Sequence, residues 1–143
     1  MASPHWDDYL NKTKGKAPSA LLRQALASMP LQGRALDLGA GAMRDARYLL
    51  ERGFEVDAVD SNPEVAKYAP TGAHLTISTF DTFPYPGEAY DLVNAQYALP
   101  FNPPETFEAM FAKLGDSLKP GGVFVGQFFG PEDSWSGNPR MTF

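Results

Sequence analysis

The chain has 143 residues, no cysteine and a net charge of −5, with 43% hydrophobic and 20% charged residues, a composition ordinary for one globular domain. The net negative charge argues against a nucleic-acid substrate, because a protein that binds a phosphate backbone usually presents a basic face.

No apolar stretch approaches the roughly 18 residues that cross a bilayer, so we expect a cytoplasmic protein without membrane association. The missing cysteines exclude disulfides, thiolate metal ligands and a thiol nucleophile, and we predict no metal site.

The N-terminal stretch, residues 1–17, is polar but carries Trp6 and Tyr9. That is much apolar surface for an idle tail, so we predict a lid segment over a domain formed by residues 18–143. Packing of the same two aromatic side chains against the outside of the domain is the alternative.

Along the rest of the chain, apolar residues alternate between helical and strand spacing. Helices are predicted over residues 18–29, 44–52, 63–69 and 104–118. Strands are predicted over residues 35–38, 54–59, 74–78, 90–95 and 123–129. Gly53 is expected to cap the second helix, and Pro120-Gly121-Gly122 is expected to be a hard stop before the last strand. Strands that alternate with helices indicate parallel βαβ units with right-handed crossovers, so the fold class is α/β.

Unusual residues follow the first predicted strand, where Asp37-Leu38-Gly39-Ala40-Gly41 stands. In an open parallel sheet, ligands bind outside the carboxyl ends of the strands, at the point where the strand order reverses. Two glycines let the main chain turn sharply and approach a ligand with no Cβ in the way. A tight strand-to-helix turn would explain the glycines equally well.

Asp60 ends the second predicted strand, about 20 positions beyond the glycine turn. A carboxylate at this spacing is placed to accept both hydroxyls of an unphosphorylated ribose. A cap for the following helix is the alternative role, although Ser61 or Asn62 is better placed for it.

Taken in chain order, four short motifs resemble those of the class I S-adenosylmethionine-dependent methyltransferases. They are Asp37-x-Gly39-x-Gly41, Val59-Asp60-Ser61-Asn62-Pro63-Glu64, Tyr90-Asp91-Leu92-Val93 and Leu118-Lys119-Pro120-Gly121-Gly122. Each motif is weak alone, but their order, each at its strand or turn, makes the set specific, and it covers roughly residues 18–130. The resemblance implies a Rossmann-like three-layer sandwich around a mainly parallel sheet, with S-adenosylmethionine as the cofactor.

One position departs from this family. A third glycine often stands two positions after the second, and Met43 occupies that position here. A nicotinamide-binding G-x-G-x-x-G fingerprint would instead need glycine where Arg44 stands. The missing glycine at position 44 is stronger evidence against an NAD-dependent oxidoreductase than Met43 is against a methyltransferase.

The resemblance implies a role for each residue at the ends of the first two strands. Asp37 would face the methionyl ammonium, directly or through water. Gly39 and Gly41 would line the methionyl and ribose portion of the cofactor. Asp60, with Ser61 beside it, would hold the ribose.

Further cofactor contacts are implied at the start of the second helix and after the third strand. Arg44 would reach the methionyl carboxylate, helped by the amides of the helix N-terminus, or is an ordinary surface arginine. Phe80 and Asp81 are the candidates for reading the adenine edge. In an alternative register, Thr79 takes the acid position.

Ala95 and Gln96 stand at the end of the fourth predicted strand and should pass close to the sulfonium. Tyr97 should do so too, and a place in the core is the alternative for its side chain. The chain has only two histidines, His5 in the lid and His74 at a strand start. His74 is expected to be structural, and His5, beside Trp6 in the lid, is the alternative candidate for a base. We name no catalytic residue. The short N-terminal extension favours a small-molecule methyl acceptor.

The family usually has seven strands, the last two forming an antiparallel hairpin beside strand five. The residues after Gly130 are rich in Gly, Pro, Ser and Asn, and we predict no such hairpin in them. We therefore expect a C-terminally incomplete sheet, a truncated fragment, and a homodimer formed along the open edge of strand five. The alternatives are a cofactor-binding but inactive domain and, less favoured, an NAD-dependent oxidoreductase.

Overall fold

A parallel β-sheet forms the centre of the computed structural model, which describes residues 17–28 and 32–128. The predicted lid up to residue 16, with its two aromatic residues and His5, lies outside the described residues. So do residues 29–31 and the chain beyond residue 128.

The helices and strands alternate as predicted. The helices are α1 (Ala20–Ser28), α2 (Arg44–Glu51) and α3 (Pro104–Asp116), with 3₁₀ helices at Pro63–Tyr68 and Leu99–Phe101. The strands are β1 (Arg34–Leu38), β2 (Glu55–Asp60), β3 (Ala73–Ile77), β4 (Tyr90–Gln96) and β5 (Leu118–Gln127). None of the helices in the described ranges has both the length and the apolar character that a membrane span requires.

The five strands lie in the order β3-β2-β1-β4-β5, and all neighbouring strands are parallel. The order reverses between β1 and β4, so the carboxyl ends of these two strands flank the place where ligands bind in such sheets. In the register of this pair, Asp37 lies directly beside Asn94. Their side chains therefore share one face of the sheet.

Helices cover both faces of the sheet. Successive residues of β1 belong to opposite cores: Ala35 packs with α1 and α2, whereas Leu36 packs with α3. The central strands are buried on both sides, which explains why they contain nearly continuous apolar runs. The predicted α/β class and the three-layer sandwich are confirmed.

The last strand differs from the prediction. β5 begins at Leu118, so Pro120-Gly121-Gly122 lies inside it and is not the expected stop. Tyr90 of β4 pairs with Leu118, but Leu92 pairs with Val123, and a bulge takes up the extra residues. Proline is tolerated in a bulge because its missing N–H removes no hydrogen bond from the ladder.

Helix α2 ends in a hydrogen-bond pattern that uses the predicted glycine cap. The Gly53 N–H donates to the Leu50 carbonyl and the Phe54 N–H to the Leu49 carbonyl, both at 3.0 Å, which is a Schellman motif. Gly53 has a φ of +91°, and a Cβ added there would meet no atom within 4 Å. The requirement for glycine is therefore conformational and not steric.

We predict that Gly53→Ala lowers the free energy of unfolding by about 1 kcal/mol, because alanine must adopt a left-handed conformation there. Gly115 lies in α3 with equally open space around its Cα, and Gly115→Ala should instead stabilise the protein by about 0.5 to 1 kcal/mol. Urea denaturation of both variants measures the two effects. Equal stability of the Gly53 variant and the wild type would contradict the conformational requirement.

Candidate functional site

A crevice opens at the carboxyl ends of β1 and β4, where the strand order reverses. Its walls come from the β1–α2 turn, the first turn of α2 and the end of β4: Asp37, Gly39, Ala40, Gly41, Ala42, Arg44, Asp45 and Gln96. The structure thus brings together part of the predicted set, namely Asp37, Gly39, Gly41, Arg44 and Gln96.

The turn between β1 and α2 is packed tightly against its neighbours. The Gly39 N–H donates to the Val59 carbonyl at 2.8 Å. Gly39 has a φ of +72°, and an added Cβ would lie only 2.5 Å from the Cβ of Ala98. Glycine is therefore required here by conformation and by space. The tight-turn explanation left open by the sequence holds at this position.

Asp60 contacts the same turn from the end of β2. Its Oδ2 accepts a hydrogen bond from the Gly41 N–H at 3.0 Å, and its Oδ1 accepts one from the Asn62 N–H at 2.9 Å. Burial raises the pKa of Asp60, and these main-chain donors oppose the rise. Asn62, not Asp60, caps the following 3₁₀ helix by accepting from the Glu64 N–H. Ser61 is exposed beside it.

Asp37 is a buried carboxylate with one unpaired oxygen. Only 3% of its surface is exposed; its Oδ1 accepts from the Asn94 amide at 3.0 Å, whereas its Oδ2 has no hydrogen-bond partner. Burial raises the pKa of Asp37 well above its ordinary value, and the nearby Asp45 and Asp60 carboxylates raise it further; Asn94 and Arg44 act in the opposite direction. The Asp37 Oδ2 is thus a buried oxygen atom without a hydrogen-bond partner.

A second buried carboxylate, Asp45, connects this site to the start of α1. Asp45 Oδ1 accepts from the Ser19 N–H at 2.7 Å, and Asp45 Oδ2 accepts from the Ser19 hydroxyl at 2.7 Å. The same Oδ2 also accepts from the Asn94 amide at 3.0 Å. The Asn94 Nδ2 thus bridges the carboxylates of Asp37 and Asp45.

Gln96 extends the network along β4. Its Nε2 donates to the Asn94 Oδ1 at 2.7 Å and approaches the Val125 carbonyl at 3.4 Å. Its Oε1 is buried and has no partner. Asp37 Oδ2 and Gln96 Oε1 are named the acceptor pair below.

Sequence reasoning missed Asn94, Asp45 and Ser19 as parts of the site. A signal was present for Asn94, which stands between Val93 and Ala95 in a buried parallel strand. A polar side chain in such a place must be hydrogen-bonded. Ser19 carried no comparable signal, because its partner is distant in the chain.

Met43 occupies the position where the family often has its third glycine. It precedes α2 with a φ of 68°, in the left-handed region that glycine adopts freely and other residues at a cost of about 1 kcal/mol. Its side chain is completely buried in the core between the sheet and the helices α1 and α2, and this burial offsets the cost. The turn therefore keeps the glycine conformation without the glycine.

Phe80 and Asp81 lie in the loop after β3, outside the crevice lining. The Phe80 ring stands near Gly39, with its Cζ at 3.5 Å from a Cβ built on that glycine. The Asp81 Oδ1 accepts from the Thr79 hydroxyl at 2.7 Å, a bond that lowers the pKa of Asp81. Thr79 and Asp81 are thus direct neighbours, and the assignment of the acid position stays a prediction.

Ala95 and Gln96 are the last residues of β4, which is one residue longer than predicted. The Ala95 side chain is buried in the core beneath α3, so only its main chain can face the crevice. Tyr97 is 43% exposed and has a φ of 56°. The alternative that Tyr97 packs as core is therefore wrong.

Comparison with known proteins places residues 35–122 in a family described as a methyltransferase domain. No curated protein sequence matches. Among solved structures, the chain is similar to a SAM-dependent methyltransferase from Leishmania major (24% identity, TM-score 0.64, covering 73% of this chain and 46% of that one). It is similar to another SAM-dependent methyltransferase from Mesorhizobium loti (28% identity, TM-score 0.66, covering 79% of this chain and 55% of that one). It is also similar to a TehB-like SAM-dependent methyltransferase from Corynebacterium glutamicum (22% identity, TM-score 0.73, covering 85% of this chain and 71% of that one).

The chain belongs to the methyltransferase domain family, because the match covers more than half of its residues. It is a class I methyltransferase domain, and S-adenosylmethionine is the cofactor of that class. The chain spans about half the length of the proteins from L. major and M. loti.

We predict that Asp37→Asn raises the free energy of unfolding by about 1 kcal/mol at about pH 8, because a neutral amide is cheaper to bury and keeps an acceptor for Asn94. The gain should shrink as the pH falls. The raised pKa of Asp37 means that the folded protein retains a proton that the unfolded chain has lost, so the wild type loses stability as the pH rises between the two pKa values.

Urea denaturation at several pH values measures this effect, with the exposed Glu108→Gln as the matched control. A loss of stability in the Asp37 variant at every pH would contradict the prediction.

Proposed function

We propose that the crevice binds S-adenosylmethionine and that the chain forms the cofactor-binding part of an enzyme that methylates a small-molecule acceptor. One observation carries the proposal: the buried Asp37 Oδ2 lacks a donor at the carboxyl end of β1, where a ligand ammonium can supply one. Gly39 and Gly41 also line the crevice, and a glycine main chain can approach a ligand closely.

In this proposal, Asp37 accepts from the methionyl ammonium, and Gly39 and Gly41 line the methionyl and ribose portions. Arg44 begins α2 at the crevice, so its guanidinium and the free N–H groups of the helix N-terminus suit the methionyl carboxylate.

Asp60 holds the ribose hydroxyls, with Ser61 next to it. Each carboxylate oxygen accepts about two hydrogen bonds, so the bonds from Gly41 and Asn62 orient the group and leave acceptor positions on it. Phe80 and Asp81 contact the adenine.

The bound cofactor supplies a methyl group on an electrophilic sulfonium, so the chain's own contribution is to position the acceptor and exclude water. Ala95 and Gln96 lie beside the reacting centre. His74 is exposed on β3, away from the crevice, and is given no part. A proton acceptor is required only if the methyl acceptor is a hydroxyl or a similar group.

Residues 1–17 are proposed to act as a lid that restricts the site to a small acceptor. The support comes from their junction with the domain: the Ala17 carbonyl is within 3.4 Å of Arg44 Nη1, and Arg44 lines the crevice. An inactive domain that binds the cofactor without catalysis is the second candidate, and it is distinguished by methyl release with a panel of small acceptors.

We expect S-adenosylhomocysteine, but not NAD, to bind in calorimetric titration, and we expect Asp60→Ala to weaken that binding by about tenfold or more, because the ribose loses its charged acceptor. Glu55→Ala is the matched control, since Glu55 is an exposed carboxylate at the opposite end of β2. Equal affinity of wild type and Asp60→Ala would contradict the ribose assignment, and the absence of binding by the wild type would contradict the proposed function.

We also propose that two copies pair along β5, which pairs with β4 alone within the described residues. An uncovered strand edge presents unsatisfied N–H and C=O groups to a second chain. Sedimentation should show a dimer that dissociates on dilution. A monomer at every protein concentration would count against the pairing.

A further inference from the structure

Two buried side-chain oxygen atoms without a hydrogen-bond partner stand out in the described part of the chain, and they are the acceptor pair, Asp37 Oδ2 and Gln96 Oε1. Both residues line the crevice. A buried acceptor that lacks a donor costs about 1 to 3 kcal/mol. Two such atoms at one crevice indicate a ligand group with several hydrogen-bond donors.

Asn94 decides which way Gln96 points. The Asn94 amide lies between Asp37 Oδ1 and Asp45 Oδ2, each at 3.0 Å, and carboxylate oxygens only accept hydrogen bonds. The nitrogen of Asn94 must therefore face them, which leaves its oxygen toward Gln96.

The orientation of the Asn94 amide in turn determines the orientation of the Gln96 amide. The Asn94 oxygen and the Val125 carbonyl are both acceptors, so the nitrogen of Gln96 must face them. The Gln96 oxygen is left on the other side, without a donor. The two carboxylates thus fix the direction of Gln96 through one intervening amide.

We propose that Gln96 is a second acceptor for the ammonium of the cofactor, that Asp37 and Gln96 bind this group together, and that Asn94 is the positioning residue that presents Gln96 to it. This inference rests on the proposed function. An ammonium group has several donors and no acceptor, which matches the acceptor pair.

The choice of an amide at position 96 has an electrostatic reason. Asp37, Asp45 and Asp60 already bring three carboxylates to this end of the sheet. A further carboxylate would be repelled by them, whereas the Gln96 amide adds an acceptor without adding charge.

The test compares two ligands that differ at one group: S-adenosylhomocysteine and its analogue in which hydrogen replaces the amino group. Wild type should bind the first about tenfold to a hundredfold more tightly, the range typical of hydrogen bonds to a charged group. Gln96→Leu and Asn94→Leu should each reduce this ratio by about fivefold or more, chiefly by weakening S-adenosylhomocysteine. Calorimetric titration gives both affinities.

Asn102→Leu is the matched control, because Asn102 is also a buried amide but lies at the start of α3, where it bonds to Pro103 and Thr106. It should leave the ratio unchanged. If Asn94→Leu fails to fold, Gln96→Leu alone tests the second acceptor, since Gln96 lies at the end of β4.

A purely structural role for Gln96 would weaken both ligands equally, and that result would overturn the inference. An unchanged ratio in Asn94→Leu, with Gln96→Leu affected, would overturn the positioning role. Failure of the proposed function looks different, because wild type would then bind neither ligand.

Discussion

The amide of Asn94 lies between two buried carboxylates, and the site is arranged around this contact. Asp37 comes from β1 and Asp45 from α2, so one side chain of β4 joins the sheet to the helix that follows the glycine turn. Without that amide, two like charges would face each other in a region of low dielectric. The contact also sets the direction of Gln96 and hence the acceptors at the crevice.

This arrangement is costly for the folded chain. Asp37 is buried with one oxygen unsatisfied, and its pKa is raised by burial and by two neighbouring carboxylates. Buried groups of this kind occur preferentially at functional sites. Met43 and Tyr97 each follow a residue that lines the crevice, and their left-handed conformations are further local costs at this end of the sheet.

The sequence predicted the fold well, because fully buried strands and amphipathic helices leave distinct apolar patterns. The boundary of β5 was wrong, since Pro120 and the glycines after it are typical of a stop, and only the register with β4 shows that they form a bulge. Tyr97 could not be placed from its residue type alone. The partners of Ser19 and Asn94 lie far away in the chain, so the sequence indicates that the buried Asn94 must be hydrogen-bonded but not to which groups. The glycine turn and Asp60, by contrast, are recognisable from their local spacing.

The bond between Ser19 and Asp45 has a consequence for the chain that leads into α1. Because Asp45 lines the crevice and accepts from both Ser19 and Asn94, a ligand that moved Asp45 would also disturb the hydrogen bonds at the start of α1. Any such effect is reciprocal: a ligand that stabilises the docking of α1 also binds more tightly when α1 is docked. The start of the first helix is thus hydrogen-bonded to a wall residue of the crevice, although the helix supplies no side chain to the walls.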